Sequence, residues 1–80
     1  MSDVADRIKR VTAETLNVDQ SRVSEESRFV EDLVASSMQR IELVDEFEEE
    51  FDIDMDEQAA LSVKKVGDAV EFVQQVIDSS

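Results

Sequence analysis

The chain has no cysteine, histidine, proline, tryptophan or tyrosine, and Gly67 is the one glycine among its 80 residues. Without cysteine it has neither disulfides nor a thiol of its own. Without histidine it lacks the most common general base and the most common metal ligand. The absence of proline and the scarcity of glycine indicate helices joined by irregular loops, because tight turns depend on those residues.

Long apolar runs are also missing from the sequence. No stretch approaches the ~20 apolar residues that a transmembrane helix needs, and residues 1–7 lack the apolar core of a signal peptide. We therefore expect a cytoplasmic protein without membrane insertion. A chain of this length can bury one modest core, so residues 1–80 are predicted to form a single domain and a monomer.

Basic residues are scarce, with 8 against 21 acidic ones and a formal net charge of −13. Such a balance argues against nucleic acid and against an anionic membrane surface as partners. A solvated face that aids solubility would explain acidic residues in general. It explains less well why residues 36–58 hold ten acids and one base. A basic protein surface is the natural partner for that segment.

What is present is a set of apolar residues at helical spacing. The pattern predicts an all-α fold with helices over residues 3–16, 36–51, 57–61 and 66–77, and a long first loop at 17–35. The predicted N-terminal caps are Ser2 or Asp3, then Ser36 with Gln39 in a capping box, and then Asp56. The loops should pack on the core through Val18, Val23, Phe29, Val30, Leu33, Met55, Ala60 and Val63.

The helix predicted over 36–51 has two faces. Its apolar arc is predicted to hold Ile41, Leu43, Val44, Phe47 and Phe51, with the acidic residues on the opposite side. Met38 falls among the acidic residues and should be exposed. It is either an interface anchor or a scattered surface methionine.

Catalytic and metal sites are mostly excluded by the residues present. Asp52, Asp54 and Asp56 open like a calcium loop, but Glu57 stands where glycine is required and Val63 where a bidentate glutamate is required. Ser36 and Ser37 have no histidine or other evident base to activate them. We therefore expect no enzyme activity and no metal, and any reactive group must come from another molecule.

Several separated blocks resemble the bacterial acyl carrier proteins in order and spacing. The blocks are Phe29-Val30-Glu31-Asp32-Leu33, Ser37, Glu42-Leu43-Val44, Glu48-Glu49-Glu50-Phe51-Asp52 and Val66-Gly67-Asp68-Ala69-Val70. The resemblance covers nearly the whole chain and implies a four-helix bundle with a short third helix. It also implies that a holo-synthase transfers 4′-phosphopantetheine from coenzyme A to Ser37, on which acyl groups travel as thioesters.

The resemblance further implies a pocket for the acyl chain and a docking surface. The implied pocket residues are Phe29, Leu43, Val44, Phe47, Ala60, Val63 and Ala69. The implied docking residues are Met38, Glu42, Asp45, Glu48 and Glu49. They would meet basic patches on the holo-synthase, condensing enzymes, acyltransferases, reductases and dehydratases of fatty-acid or specialised lipid biosynthesis. The alternatives are a carrier in a polyketide or peptide assembly system, or an acidic helical interaction module without prosthetic group.

The chain departs from the family pattern around the attachment serine. Val34 replaces a glycine, Ser36 an aspartate and Met38 a leucine, while Arg40 adds a positive charge. Asp56 replaces a proline in the loop before the third helix. Ser36 keeps the capping ability of aspartate but loses its charge. These departures suggest a specialised carrier with a restricted set of partners, and the alignment of the flanking block favours Ser37 over Ser36 as the attachment residue.

Overall fold

The computed structural model describes residues 3–79, which form four α-helices. They are α1 (Val4–Leu16), α2 (Ser37–Phe51), the short α3 (Glu57–Leu61) and α4 (Val66–Ser79), and a 3-10 helix, Gln20–Arg22, interrupts the first loop. The prediction of an all-α four-helix bundle is confirmed. The 3-10 helix was not predicted, and α4 continues two residues beyond the predicted end at 77.

The ends of α1 follow from polar residues at its boundaries. The carboxylate of Asp3 accepts the backbone N–H of Asp6 at 2.8 Å, which satisfies one of the unpaired donors of the first turn. Asn17 ends the helix in the left-handed conformation, with φ at 56°. Asp3 is therefore the cap, while the alternative, Ser2, lies outside the described residues.

Helix α1 packs against both α2 and α4, and the core lies between these three helices. Ile8, Val66 and Val73 are completely buried at its centre. Of the apolar residues predicted to pack from the first loop, Val23, Phe29 and Leu33 are buried and Val18 packs on the core edge. The prediction was wrong for Val30, which is 47% exposed because it lies in the turn that leads away from buried Phe29.

Backbone hydrogen bonds tie the loop at 17–35 to the start of α4. Val66 N–H donates to the Ser27 carbonyl at 2.9 Å, and Gly67 N–H donates to the Glu25 carbonyl at 2.8 Å. A Cβ atom at Gly67 would stand 2.9 Å from that same Glu25 oxygen, closer than such atoms pack. The single glycine of the chain thus allows the loop to approach α4 and to hold its buried side chains over the core.

Two arginines of α1 hold a glutamate near the end of α2. Arg7 Nε and Arg10 Nη2 donate to Glu50 Oε2 at 2.8 Å and 2.7 Å, and Arg7 Nη2 also donates to the Glu50 carbonyl at 2.7 Å. The Arg7 guanidinium also lies 4.4 Å from the centroid of the Phe51 ring. The hydrogen bond from Arg7, helped by Arg10, lowers the pKa of Glu50 against the opposing effect of burial.

We expect Glu50→Gln to lower the free energy of unfolding by about 1 kcal/mol at pH 7, because it removes a charge-assisted contact with both arginines. A carboxyl group whose pKa is lowered by folding stabilises the protein above its unfolded pKa and loses this contribution as pH falls through the folded value. The difference between variant and wild type should therefore vanish in acid. Urea unfolding between pH 7 and pH 3 measures it.

Glu49→Gln is the matched control, since Glu49 is the exposed neighbour of Glu50. It should leave the stability unchanged or raise it slightly, because it removes one of many like charges on α2. Equal losses in the two variants would contradict the importance of the arginine contacts.

Candidate functional site

The start of α2 is fixed by a capping box. Gln39 N–H donates to Ser36 Oγ at 3.1 Å, and Ser36 N–H donates to Gln39 Oε1 at 2.9 Å. The predicted capping box is confirmed. The hydroxyl of Ser36 is therefore engaged in capping the start of α2.

Ser37 is the first residue of α2 and its side chain is exposed. Within residues 3–79 its hydroxyl has no hydrogen-bond partner. Exposed Val34 lies three residues before it, and exposed Met38 follows it directly. The neighbouring backbone is firmly placed, since Ala35 is buried and its N–H donates to the Phe29 carbonyl at 2.8 Å. The structure therefore presents one serine hydroxyl on a rigid helix start, open to a modifying enzyme.

An ion pair supports the turn that precedes this serine. Asp32 accepts the backbone N–H of Arg28 at 2.8 Å and its Nε at 3.1 Å. The hydrogen bond from the Arg28 side chain is the main reason that the pKa of Asp32 is lowered. Both side chains are exposed, so we assign the pair a role in shaping the turn rather than a large contribution to stability.

Val34 adopts a left-handed backbone conformation, with φ at 56°. A β-branched residue in this region is strained, because its side chain crowds the backbone. Its side chain is 78% exposed, so packing does not compensate for the strain. This position is the one at which the family pattern has glycine, which reaches positive φ without that cost.

We expect Val34→Gly to raise the free energy of unfolding by about 1 kcal/mol, because it relieves the left-handed strain and removes little burial. Thermal melting should show an increase of about 4–8 °C for a domain of this size. Asn17→Gly is the control, since Asn17 also has φ at 56° but asparagine tolerates this conformation more easily. A larger gain at Asn17 than at Val34 would contradict the strain at Val34.

The outer face of α2 carries four of the five residues predicted to dock partners. Met38 is 72% exposed, as predicted from its position among acidic residues, and Glu42, Asp45 and Glu49 are also exposed. Glu48 differs, because it is half-buried and its carboxylate accepts the backbone N–H of Met55 at 2.8 Å. Glu48 thus holds the loop before α3 in place, and its charge is only partly available to a partner.

An apolar cavity lies between α2, α3 and α4. All seven residues named above for the acyl-chain pocket line it, with Met55, Leu61, Phe72 and Arg40 as further neighbours. Its volume is about 30 Å³, which is much smaller than the ligand pockets of proteins. A longer apolar ligand would therefore have to move the helices apart.

The comparisons with known proteins agree with this geometry. A family model described as "Phosphopantetheine attachment site" matches residues 6–73. An acyl carrier protein of Phenylobacterium zucineum (strain HLK1) is 45% identical over 75 residues, which cover 94% of this chain and 95% of that protein. The chain belongs to the acyl carrier protein family. The resemblance inferred from the separated blocks, the carrier function and the 4′-phosphopantetheine cofactor are thereby confirmed.

The residues present in this acyl carrier protein fit the cofactor. Covalent attachment needs an accessible serine hydroxyl, and the exposed hydroxyl at the start of α2 supplies one. When bound, the cofactor supplies the terminal thiol that holds an acyl group as a thioester, a group that a chain without cysteine lacks. Among the described residues, no three acidic side chains converge to hold a metal ion, and no helix is long and apolar enough to cross a membrane.

Arg40 is the charged residue among the four cavity-lining residues that the sequence interpretation did not assign to the pocket. At about 100° per residue it lies at the centre of the arc formed by Leu43, Val44 and Phe47, and its Nη2 donates to the Leu61 carbonyl. Ile41 lies about 100° from Arg40, at the edge of this arc, and is 41% exposed. The placement of Ile41 on the apolar arc was therefore wrong, and the angle of Arg40 was the signal that could have shown it.

Proposed function

We propose that Ser37 carries the 4′-phosphopantetheine of this protein. The observation that supports it is the contrast between the two adjacent hydroxyls. Ser36 Oγ accepts the N–H of Gln39 and caps α2, whereas Ser37 is exposed and without a partner in the part of the chain that the structure describes. A transferase must reach the oxygen that it modifies, so the open hydroxyl is the better acceptor.

The outer face of α2 is the proposed docking surface for the enzymes that act on the cargo. Its exposed acidic residues follow the attachment serine along one helix, so a basic patch that pairs with them brings its own active site to the serine. Exposed Met38 and Ile41 lie near the same end. An apolar anchor ringed by charge is the usual arrangement of a specific, reversible interface.

The apolar cavity is the proposed sheath for the acyl chain. The lining side chains come from α2, α3, α4, the first loop and the loops on both sides of α3, so the chain would be enclosed by most of the bundle. Insertion removes the chain from water and is favourable by about 0.8 kcal/mol per methylene buried. The short α3 is the element best able to move, because five residues give it few contacts of its own.

The protein is proposed to serve fatty-acid or related lipid biosynthesis as a cytoplasmic monomer made of one domain. It would hold the intermediates, while holo-synthase, condensing enzymes, acyltransferases, reductases and dehydratases perform the chemistry. Mass analysis of the thioester on protein purified from its host tests the pathway. A polyketide or aminoacyl group would instead favour an assembly system. Full activity with generic partner enzymes would overturn the idea of a specialised carrier.

Charge reversal on the docking surface should slow encounter with basic partners. We expect Glu42→Lys to lower kcat/KM of a holo-synthase or condensing enzyme about tenfold at low ionic strength and to weaken its salt dependence. Glu71→Lys is the matched control, because it makes the same change at an exposed position of α4. Equal effects of the two variants would mean that net charge matters and the face of α2 does not.

A further inference from the structure

A cation stands at the entrance side of the apolar cavity. Arg40 lies three residues after Ser37, about 4.5 Å along the axis of α2, while Leu43 and Phe47 lie about 9 Å and 15 Å along it. A chain that enters from the attachment end therefore meets the guanidinium before it meets the apolar wall.

The side-chain hydrogen bond of Arg40 joins two helices. It runs from Nη2 of Arg40 in α2 to the carbonyl oxygen of Leu61 at the last residue of α3, and both residues are half-buried and line the cavity. Ten acidic residues occupy the same segment of sequence, yet within residues 3–79 Arg40 forms no ion pair with any of them. If Arg40 served only to make the surface soluble, its side chain would be expected to contact those carboxylates and water.

Opening the cavity must disturb this bond. The cavity of about 30 Å³ is too small for an acyl chain, so we expect loading to move α3 from α2 and to separate Arg40 from Leu61. A methylene group of the acyl chain between them leaves the Arg40 N–H and the Leu61 carbonyl without a partner. Such a loss is costly for partly buried groups. A ketone oxygen accepts from Arg40 but leaves the carbonyl unpaired. A hydroxyl accepts from Arg40 and donates to the Leu61 carbonyl, so it restores both contacts.

We propose that Arg40 and the Leu61 carbonyl form a specificity-determining pair that selects acyl chains with a hydroxyl group close to the thioester. The proposal rests on the proposed function of the cavity as a sheath for the acyl chain. Arg40 contacts the cargo in this arrangement, while the remaining wall recognises only its apolar part.

The test compares three cargoes on the intact holo-protein. Amide-linked octanoyl, 3-oxooctanoyl and 3-hydroxyoctanoyl analogues are loaded on Ser37, and thermal melting is followed by circular dichroism. The increase in Tm over unloaded holo-protein should be largest for the hydroxy chain, intermediate for the oxo chain and smallest for the plain chain. The increase in Tm should be about 4 °C or more larger for the hydroxy chain than for the plain chain, because the hydroxy chain gains one hydrogen bond to a charged group.

Variants test whether Arg40 causes the preference for the hydroxy chain. Arg40→Met should make the three increases equal, Arg40→Lys should retain part of the order because it keeps a donor, and Arg22→Met should retain all of it. Arg22 is an exposed arginine outside the cavity wall and is therefore the matched control.

Each remaining outcome overturns a stated idea. If no cargo raises the Tm, the cavity does not sheath acyl chains and the proposed function fails at that point. If all three cargoes raise the Tm of the wild type equally, the sheath stands and the selection by Arg40 is wrong. The order in the wild type decides this even if Arg40→Met does not fold.

Discussion

Ser37→Ala is expected to abolish the attachment of 4′-phosphopantetheine completely, since the substitution removes the one hydroxyl that α2 leaves open near its first turn. Intact mass after incubation with coenzyme A and a holo-synthase measures the result. Wild-type protein should gain the mass of one phosphopantetheinyl group, and the variant should gain nothing. The fold should persist, because Ser37 is exposed and alanine is a good helix former.

Ser36→Ala is the matched control, since it removes the adjacent hydroxyl. The variant should still accept the phosphopantetheinyl group at Ser37. Its free energy of unfolding should fall by about 1 kcal/mol, because the capping box is lost. If Ser37→Ala were modified and Ser36→Ala were not, the attachment residue would be Ser36. An unmodified wild-type protein would support the acidic interaction module without prosthetic group.

The helices and their starts could be predicted because local rules dominate there. Ser36 with Gln39 is a capping signature that can be read directly, and Asp56 accepts the N–H of Ala59 at the start of α3 as expected. The end of α4 was harder to predict from the sequence, because no glycine or proline marks it. The 3-10 helix depends on Asp19, whose side chain accepts Ser21 N–H in a loop with no period of its own.

The site was hardest to predict from the sequence where a side chain could have either of two partners. Glu48 has the sequence context of a docking residue, yet its carboxylate turns to the Met55 N–H, a contact that depends on how the following loop folds back. The spacing along α2 placed Arg40 on the apolar face, but its long, charged side chain made a solvated position the default expectation. The family pattern has glycine where this chain has Val34, and only the structure shows that Val34 adopts a positive φ.

Phe47→Ala should lower the free energy of unfolding of the unloaded protein by about 3–5 kcal/mol, because it leaves a void in a close-packed core. Phe47 is 3% exposed and lines the cavity. A domain of this size has a total stability of roughly 4–12 kcal/mol, so the variant lies near the limit of folding. Urea unfolding of unloaded holo-protein measures the loss, with Phe47→Leu as a milder variant if the alanine protein does not fold.

An octanoyl chain should restore part of this loss, because the void left by Phe47 opens directly into the space proposed for cargo. The increase in Tm on loading should therefore be larger in Phe47→Ala than in the wild type. Phe51→Ala on the same helix is the matched control, since Phe51 is half-buried, packs beneath Arg7 and lies outside the cavity wall. It should be destabilised as well, but should gain no more from loading than the wild type. Equal gains in the two variants would mean that acyl chains stabilise the bundle in general, and that the cavity beside Phe47 is not where they bind.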